Sequence, residues 1–430
     1  MRRRTSAPSL RVEKVLRLLP EVDAMAPLRT LLVSTSRAEG ADEPHLTVGK
    51  RIVQSADLEE LVPRALQRVS EHLSELFEAA ITALEAEASG DTASAVRAFL
   101  RAGDRELAVG RESAARIWYE HALRIAEEAR DRRPEIEALQ QLGALEAALG
   151  ARDRAARHYQ RAFALAEAEG DDMRAASACL AMGTVALNRF NLQGAVSWFQ
   201  RGLQHGDGNH ALSGRLHLGL AEVARTRDDL DEAEQRVRLA ETMLTDQADT
   251  GGMVAVLSAR GRLESARGRY SESLARHREA LAFARLDGRD ARLELPVHLD
   301  ICRLFMETDR LPDAEDEARR AEQMAVVHNE TNELARIYVL MGGIRRLQRD
   351  ESGFVFFEKA IELSQGGEPT PHLEADAYFD YAVFRESFGE HDEARAYLER
   401  SREILETLGD RPALARIDEM LRRLPASGVA

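Results

Sequence analysis

Lysine is almost missing from this chain of 430 residues: Lys14, Lys50 and Lys359 stand alone, so positive charge is carried by arginine. Cysteine is scarcer, at Cys179 and Cys302. Two cysteines cannot make a disulfide framework, and both fall at helical positions that want small residues, which predicts core packing and fits a reducing, cytoplasmic location. Aromatics make up 5% of the chain, and alanine fills the core in their place. No run approaches the roughly 20 apolar residues that span a bilayer, and Glu13, Lys14 and Arg17 interrupt the N-terminal stretch that begins like a signal peptide. A membrane role is therefore not expected. The net charge of −15 argues against nucleic acid, whose affinity comes mainly from neutralised phosphates. Catalytic signatures are missing too: there is no phosphate loop, glycine-rich nucleotide fingerprint, HExxH, CxxC or nucleophile elbow. His205, His210 and His217 surround a glycine-rich turn without the spacing or cysteine support of a metal site. Neither an enzyme nor a cofactor or metal site is expected.

What the chain does have is a repeat. Ala115, Ala155, Ala195, Ala233, Ser273, Ala314, Gly353 and Ala394 mark equivalent places roughly 40 residues apart, and every mark is small. Four residues on come Tyr119, Tyr159, Phe199, Val237, His277, Ala318, Phe357 and Leu398, and seven on come further small residues from Ala122 to Ser401. These offsets share one helical face. Twelve residues before the mark stand Gly103, Gly143, Gly183, Ala221, Gly261, Cys302 and Ala382, with Gly342 one residue out of step. In a helical hairpin, Gly143, Ala155 and Ala162 belong where two axes cross closely, while Leu142, Tyr159 and Leu165 are expected to fill the space between neighbouring pairs.

On these residues the chain resembles the tetratricopeptide repeat, in a long variety similar to that of kinesin light chains and bacterial signal-transduction ATPase regulators. The resemblance implies an all-α, right-handed superhelical solenoid of eight helix pairs, closed by a capping helix at Arg411 to Leu424. Residues 1–54 read as an N-terminal segment, partly disordered, with 34–45 a polar loop. Residues 55–91 form a lead amphipathic helix, 92–424 the solenoid and 425–430 a tail. Pro296 falls within the first helix of the sixth pair, where it is expected to kink or shorten the helix. Trp118 and Trp198 are expected to pack between repeats.

The resemblance also implies that the concave groove, lined by the first helix of each pair, is the binding surface. The groove positions lie one residue after the small crossing position and about three residues either side. They carry Arg215, Glu222, Arg225, Arg262, Arg303, Arg336 and Arg346, with Glu137, Gln140 and Gln141 nearer the N-terminus. Such an arginine stripe suits an acidic segment or a C-terminal carboxylate, because guanidinium offers paired donors; the competing reading is a solvated face in an arginine-rich chain. Some relatives hold a peptide backbone with a ladder of asparagines, and here Asn188 alone stands near such a position. The function expected is a non-catalytic scaffold that binds a protein or peptide segment in the groove. The alternative is a sensor whose groove takes a short peptide or small molecule and changes the solenoid pitch, by closure around Pro296, to control a separate effector.

Overall fold

The computed structural model describes residues 46–48, 51–53 and 86, and residues 90–425 apart from 109–110, 207, 246–249, 288–292, 328–329, 367–369 and 409. The lead helix and the loop expected at 34–45 lie outside the described residues, save for Ala86, Gly90 and Asp91. Two short strands, β1 (Leu46–Val48) and β2 (Arg51–Val53), pair antiparallel with Leu46 opposite Val53. The rest is helical: α1 Thr92–Ala108, α2 Glu112–Ala129, α3 Arg132–Ala148, α4 Arg152–Glu169, α5 Asp172–Asn188, α6 Leu192–His205, α7 His210–Thr226, α8 Leu230–Thr245, α9 Thr250–Ala266, α10 Tyr270–Asp287, α11 Glu294–Glu307, α12 Leu311–Val327, α13 Thr331–Leu347, α14 Phe354–Gln365, α15 Pro371–Ser387, α16 His391–Leu408 and α17 Arg411–Arg423. Among the described residues these are eight helix pairs and a terminal helix. None of the described helices is long and apolar enough to cross a membrane.

The chain divides into two compact units, Met1–Leu142 and Gly143–Ala430, with the boundary inside α3. In the first, Trp118 is fully buried and stacks on Phe99 at 5.9 Å between ring centroids. Tyr119 lies on Gly103, and its hydroxyl donates to Asp104 at 2.6 Å.

The second unit repeats that contact. Tyr159 lies on Gly143, Phe199 on Gly183, His277 on Gly261 and Phe357 on Gly342, and a Cβ at any of these glycines would come within 3 Å of ring atoms. Where the residue four places after the mark is Val237, Ala318 or Leu398, the position opposite is Ala221, Cys302 or Ala382. Ring and hole are matched in size along the repeat, as close packing demands. Tyr159 therefore seats in its own pair, and it also shares a core cluster with Val185 of the next pair, in line with the expectation that it fills the space between pairs. Phe199 does both, since its ring also meets Gly219 of the next pair. Trp198 packs edge-on to Phe163 of the preceding pair at 5.6 Å. Cys179 and Cys302 are both buried, Cys302 at a small crossing position and Cys179 four residues before Gly183, and burial pushes each thiol up to about 12.

In six of the described pairs the turn uses a left-handed residue five places before the mark, and in the seventh pair Arg349 takes that role four places before Gly353, as helix C-termini commonly do. The six include Gly150, Gly268 and Gly389, but also Phe190 at φ 55°. Pro296 needs correction: α11 starts at Glu294, so the proline sits in the first turn, where its missing N–H has no helical partner to lose. The helix is shortened to 14 residues and is not kinked there.

Candidate ligand chamber

Within the second unit the repeats curl until the α3–α4 corner meets the N-termini of α13, α15 and α17. Asn332 donates its amide to the Ala148 carbonyl at 3.1 Å, capping a C-terminal carbonyl that α3 cannot satisfy itself. Arg152 donates to Asp376 at 3.2 Å and lies 3.8 Å from Asp410. Asp410 also caps α17, accepting from the Ala413 backbone N–H at 3.3 Å. His372 is buried 3.6 Å from Asp410, and burial, then the Arg152 charge, depresses its pKa to about 4 against the pull of Asp410. The Arg416 guanidinium lies between Phe190 and Phe379, 4.9 and 4.8 Å from the ring centroids.

These contacts border an open cavity of about 480 Å³. Its apolar wall includes Met306, Val339, Leu340, Phe357, Leu373, Phe379 and Val383; its charged wall holds Arg152, Arg189, Arg303, Arg336, Arg346 and Arg416 beside Asp376, Asp380 and Asp410. Three of the six arginines expected in the groove, Arg303, Arg336 and Arg346, are brought together here. Arg303 reaches Asp300 at 3.3 Å, and Arg336 pairs with Glu333. Asn188 is also in the wall.

Arg225 and Arg262 go elsewhere. Across α7, α9 and α11 they form a ladder of alternating charge: Arg225 to Glu222 at 2.6 Å, Arg262 to Glu222 at 3.4 Å and Arg262 to Asp300 at 2.7 Å. Burial pushes the Glu222 carboxyl up, but the hydrogen bond from Arg225 and the Arg262 charge outweigh it and hold it below its ordinary value. Burial likewise opposes the charge on Arg262, yet Asp300 and Glu222 raise its pKa. Arg215 is exposed on α7, outside the chamber walls. His205 bonds Asp172 at 2.8 Å, and His217 is buried with its pKa lowered by burial and by Arg236.

Sequence reasoning missed Asp380, Asp376, Arg152, Arg189, Phe190 and Arg416. The signal for Asp380 was present: it lies three residues before Val383, which follows the small residue Ala382. The others depend on the curl of the chain.

No protein-family model matches the chain, and no curated protein matches it in sequence. Among solved structures, a Rap protein complexed with Competence and Sporulation Factor is 12% identical, with 83% of this chain and 94% of that chain covered, at a TM-score of 0.54. The apo form of RapI is 11% identical over 64% and 99% at a TM-score of 0.45. A thermophilic TPR protein of Thermus thermophilus is 24% identical over 48% and 98% at 0.36. At these identities the likeness is one of fold, and the first of them together with eight registered helix pairs makes this chain a tetratricopeptide-like helical-repeat protein.

Proposed function

We propose that the protein is a non-catalytic binding module that takes an anionic segment, a short peptide or the end of a partner chain, in the chamber of its second unit. The observation that carries this is six arginines around a cavity of about 480 Å³ in a chain of net charge −15. Six arginines against three aspartates leave the wall with an excess of positive charge that attracts an anion, and a cavity of this size is typical for a small ligand. Apolar walls from Phe357, Phe379 and Leu340 supply burial, and guanidinium supplies direction. The Rap structure, solved as a complex with a factor, supports binding as a use of this fold.

The test is equilibrium dialysis of a random hexapeptide pool with free termini against the wild type and a variant with Arg303, Arg336 and Arg346 changed to Glu, the retained members being read by mass spectrometry. The wild type retains members rich in Asp, Glu or a free C-terminal carboxylate, and the variant does not. Equal retention by both would move the site away from the chamber.

A second reading is that ligand binding controls closure of the chamber and thereby a separate effector. It is favoured by the character of the closing contacts, which are a few polar bonds and one cation–π sandwich, each worth about 1 kcal/mol. Small-angle scattering with and without a retained peptide tests it, an unchanged envelope counting against it.

A further inference from the structure

Most of the charged groups in the chamber wall are already spoken for. Arg152 holds Asp376, Arg189 pairs with Asp153, Arg303 reaches Asp300, Arg336 pairs with Glu333 and Arg416 lies between two rings. The side chains of Arg346 and Asp380 stand apart from this pattern. Both line the cavity and are half-buried, and among the described residues neither makes a hydrogen bond or an ion pair. They come from neighbouring first helices, Arg346 from the last turn of α13 and Asp380 from the middle of α15, and they interact electrostatically without touching. Opposite charges in one cavity that stay out of ion-pair contact are each left to water, although a hydrogen-bonded pair would satisfy both. A molecule that fits between them would satisfy both at once.

We propose that Arg346 and Asp380 bracket one amphoteric ligand, Arg346 receiving its carboxylate and Asp380 its ammonium or guanidinium group. This rests on the chamber being the binding site and adds a second requirement, a cation on the same molecule. A carboxylate and a cation a short span apart are found in free amino acids and in short peptides. The guanidinium fork takes the carboxylate in a bidentate fashion. Asp380 takes the cation as a half-buried carboxylate, where attraction is screened less than at the surface. Burial and then the neighbouring Asp376 on α15 raise Asp380 to about 6, while Arg416 of α17 and Arg346 of α13 pull it down. It is therefore mainly ionised at neutral pH, and a ligand cation relieves its repulsion with Asp376.

The test uses the full chain at pH 7.5 and four probe sets in equilibrium dialysis: hexapeptides with mixed charge, N-acetylated hexapeptides with only acidic charges, C-amidated hexapeptides with only basic charges, and the twenty free amino acids. Mixed-charge peptides or free amino acids are retained at least tenfold better than either single-charge set, and which of the two is retained identifies the source. Asp380→Asn lowers the mixed-charge set to the level of the acidic set and leaves the acidic set unchanged. Arg346→Gln does the mirror image against the basic set. The swap Arg346→Asp with Asp380→Arg restores preference for mixed charge if both single variants fold poorly. Wild-type affinity for the mixed set falls as pH drops through about 6, and the Asp380→Asn affinity does not. If the acidic set binds as well as the mixed set, the bracket is overturned and the arginine chamber stands. If no set is retained by the wild type, both fall.

Discussion

The first helices of the second unit form two halves built from one repeat and rich in one residue type, yet arginine meets a different fate in each. Across α7, α9 and α11, Arg225, Glu222, Arg262 and Asp300 alternate in contact. Across α13 and α15, Arg346 and Asp380 face a cavity with no partner in contact among the described residues. The first half neutralises its own charge and has little to offer a ligand. The second leaves Arg346 and Asp380 out of ion-pair contact at the wall of a cavity. An arginine-rich stripe therefore does not by itself mark a binding surface, since half of this one is neutralised by its own carboxylates.

If this difference is purely electrostatic, the apolar core must be the same in both halves. Phe199 and Phe357 are buried and seat on Gly183 and Gly342. Phe199→Ala and Phe357→Ala are each expected to lose about 3–5 kcal/mol in urea unfolding. A loss at Phe357 below about 1 kcal/mol would mean that the chamber half is loosely packed and would break the comparison.

Acid distinguishes the halves next. His277, against Arg262 and Asp300 in the ladder half, is depressed to about 4, mainly by burial, and His372 in the chamber half is also at about 4. Each is held neutral when folded, so the unfolded chain takes up the proton first. Stability is lost as pH falls from 6.5, the ordinary value, towards 4, by on the order of 3 kcal/mol per histidine. Asp380, raised to about 6, acts with the opposite sign: the folded chain protonates first, so stability is gained as pH falls from 6 towards 3.8. Only the chamber half carries this offset. Asp380→Asn should steepen the loss between pH 6.5 and 4, while His277→Phe, which places on Gly261 the ring that Gly183 and Gly342 already accept, should flatten it. Urea midpoints measured across that range check both.

Much of the fold was legible because the repeat is periodic. The marks from Ala115 to Ala394, and the glycines twelve residues before them, located the helix pairs without any tertiary information. Three of the positions that the groove register gave, Arg303, Arg336 and Arg346, line the cavity, and the same register run through Ala382 gives Asp380, which lines it too. What could not be read was how far the chain curls. Arg152 reaches Asp376 across 224 positions, and no local pattern announces such a contact. Pairing was also hidden: Arg262 and Arg346 lie one and four residues after their crossing glycines, Gly261 and Gly342, on one helical face, and the carboxylates of neighbouring helices decide which one is neutralised. Pro296 misled for a local reason, since the helix start at Glu294 lay just before it rather than further upstream.

The sharper electrostatic contrast comes from removing those two arginines. Arg262→Met takes one arginine each from Asp300 and Glu222, which are buried and half-buried and keep only Arg303 and Arg225, and should cost about 1–3 kcal/mol, reduced from the fully buried case because Arg262 is partly exposed. Arg346→Met strands nothing in contact and should change stability by less than about 0.5 kcal/mol. Chemical unfolding of the two variants in one buffer decides the matter. Equal losses would show that Arg346 has a structural partner, removing the ground for a ligand there.

The smallest effect concerns the corner that closes the chamber. The Asn332 amide donates to Ala148 at 3.1 Å in an exposed setting, so Asn332→Ala should cost about 1 kcal/mol or less. Global unfolding barely reads such a loss, but amide exchange at Gly150 and Arg152 does, because opening the corner is a local event. Exchange there should quicken about fivefold, the equivalent of about 1 kcal/mol, while exchange in the ladder helices α7 and α9 stays the same. Acceleration in both places would mean that closure and the repeat core unfold together. Acceleration confined to the corner would make it a separate, weakly held joint that opens without disturbing the repeat core.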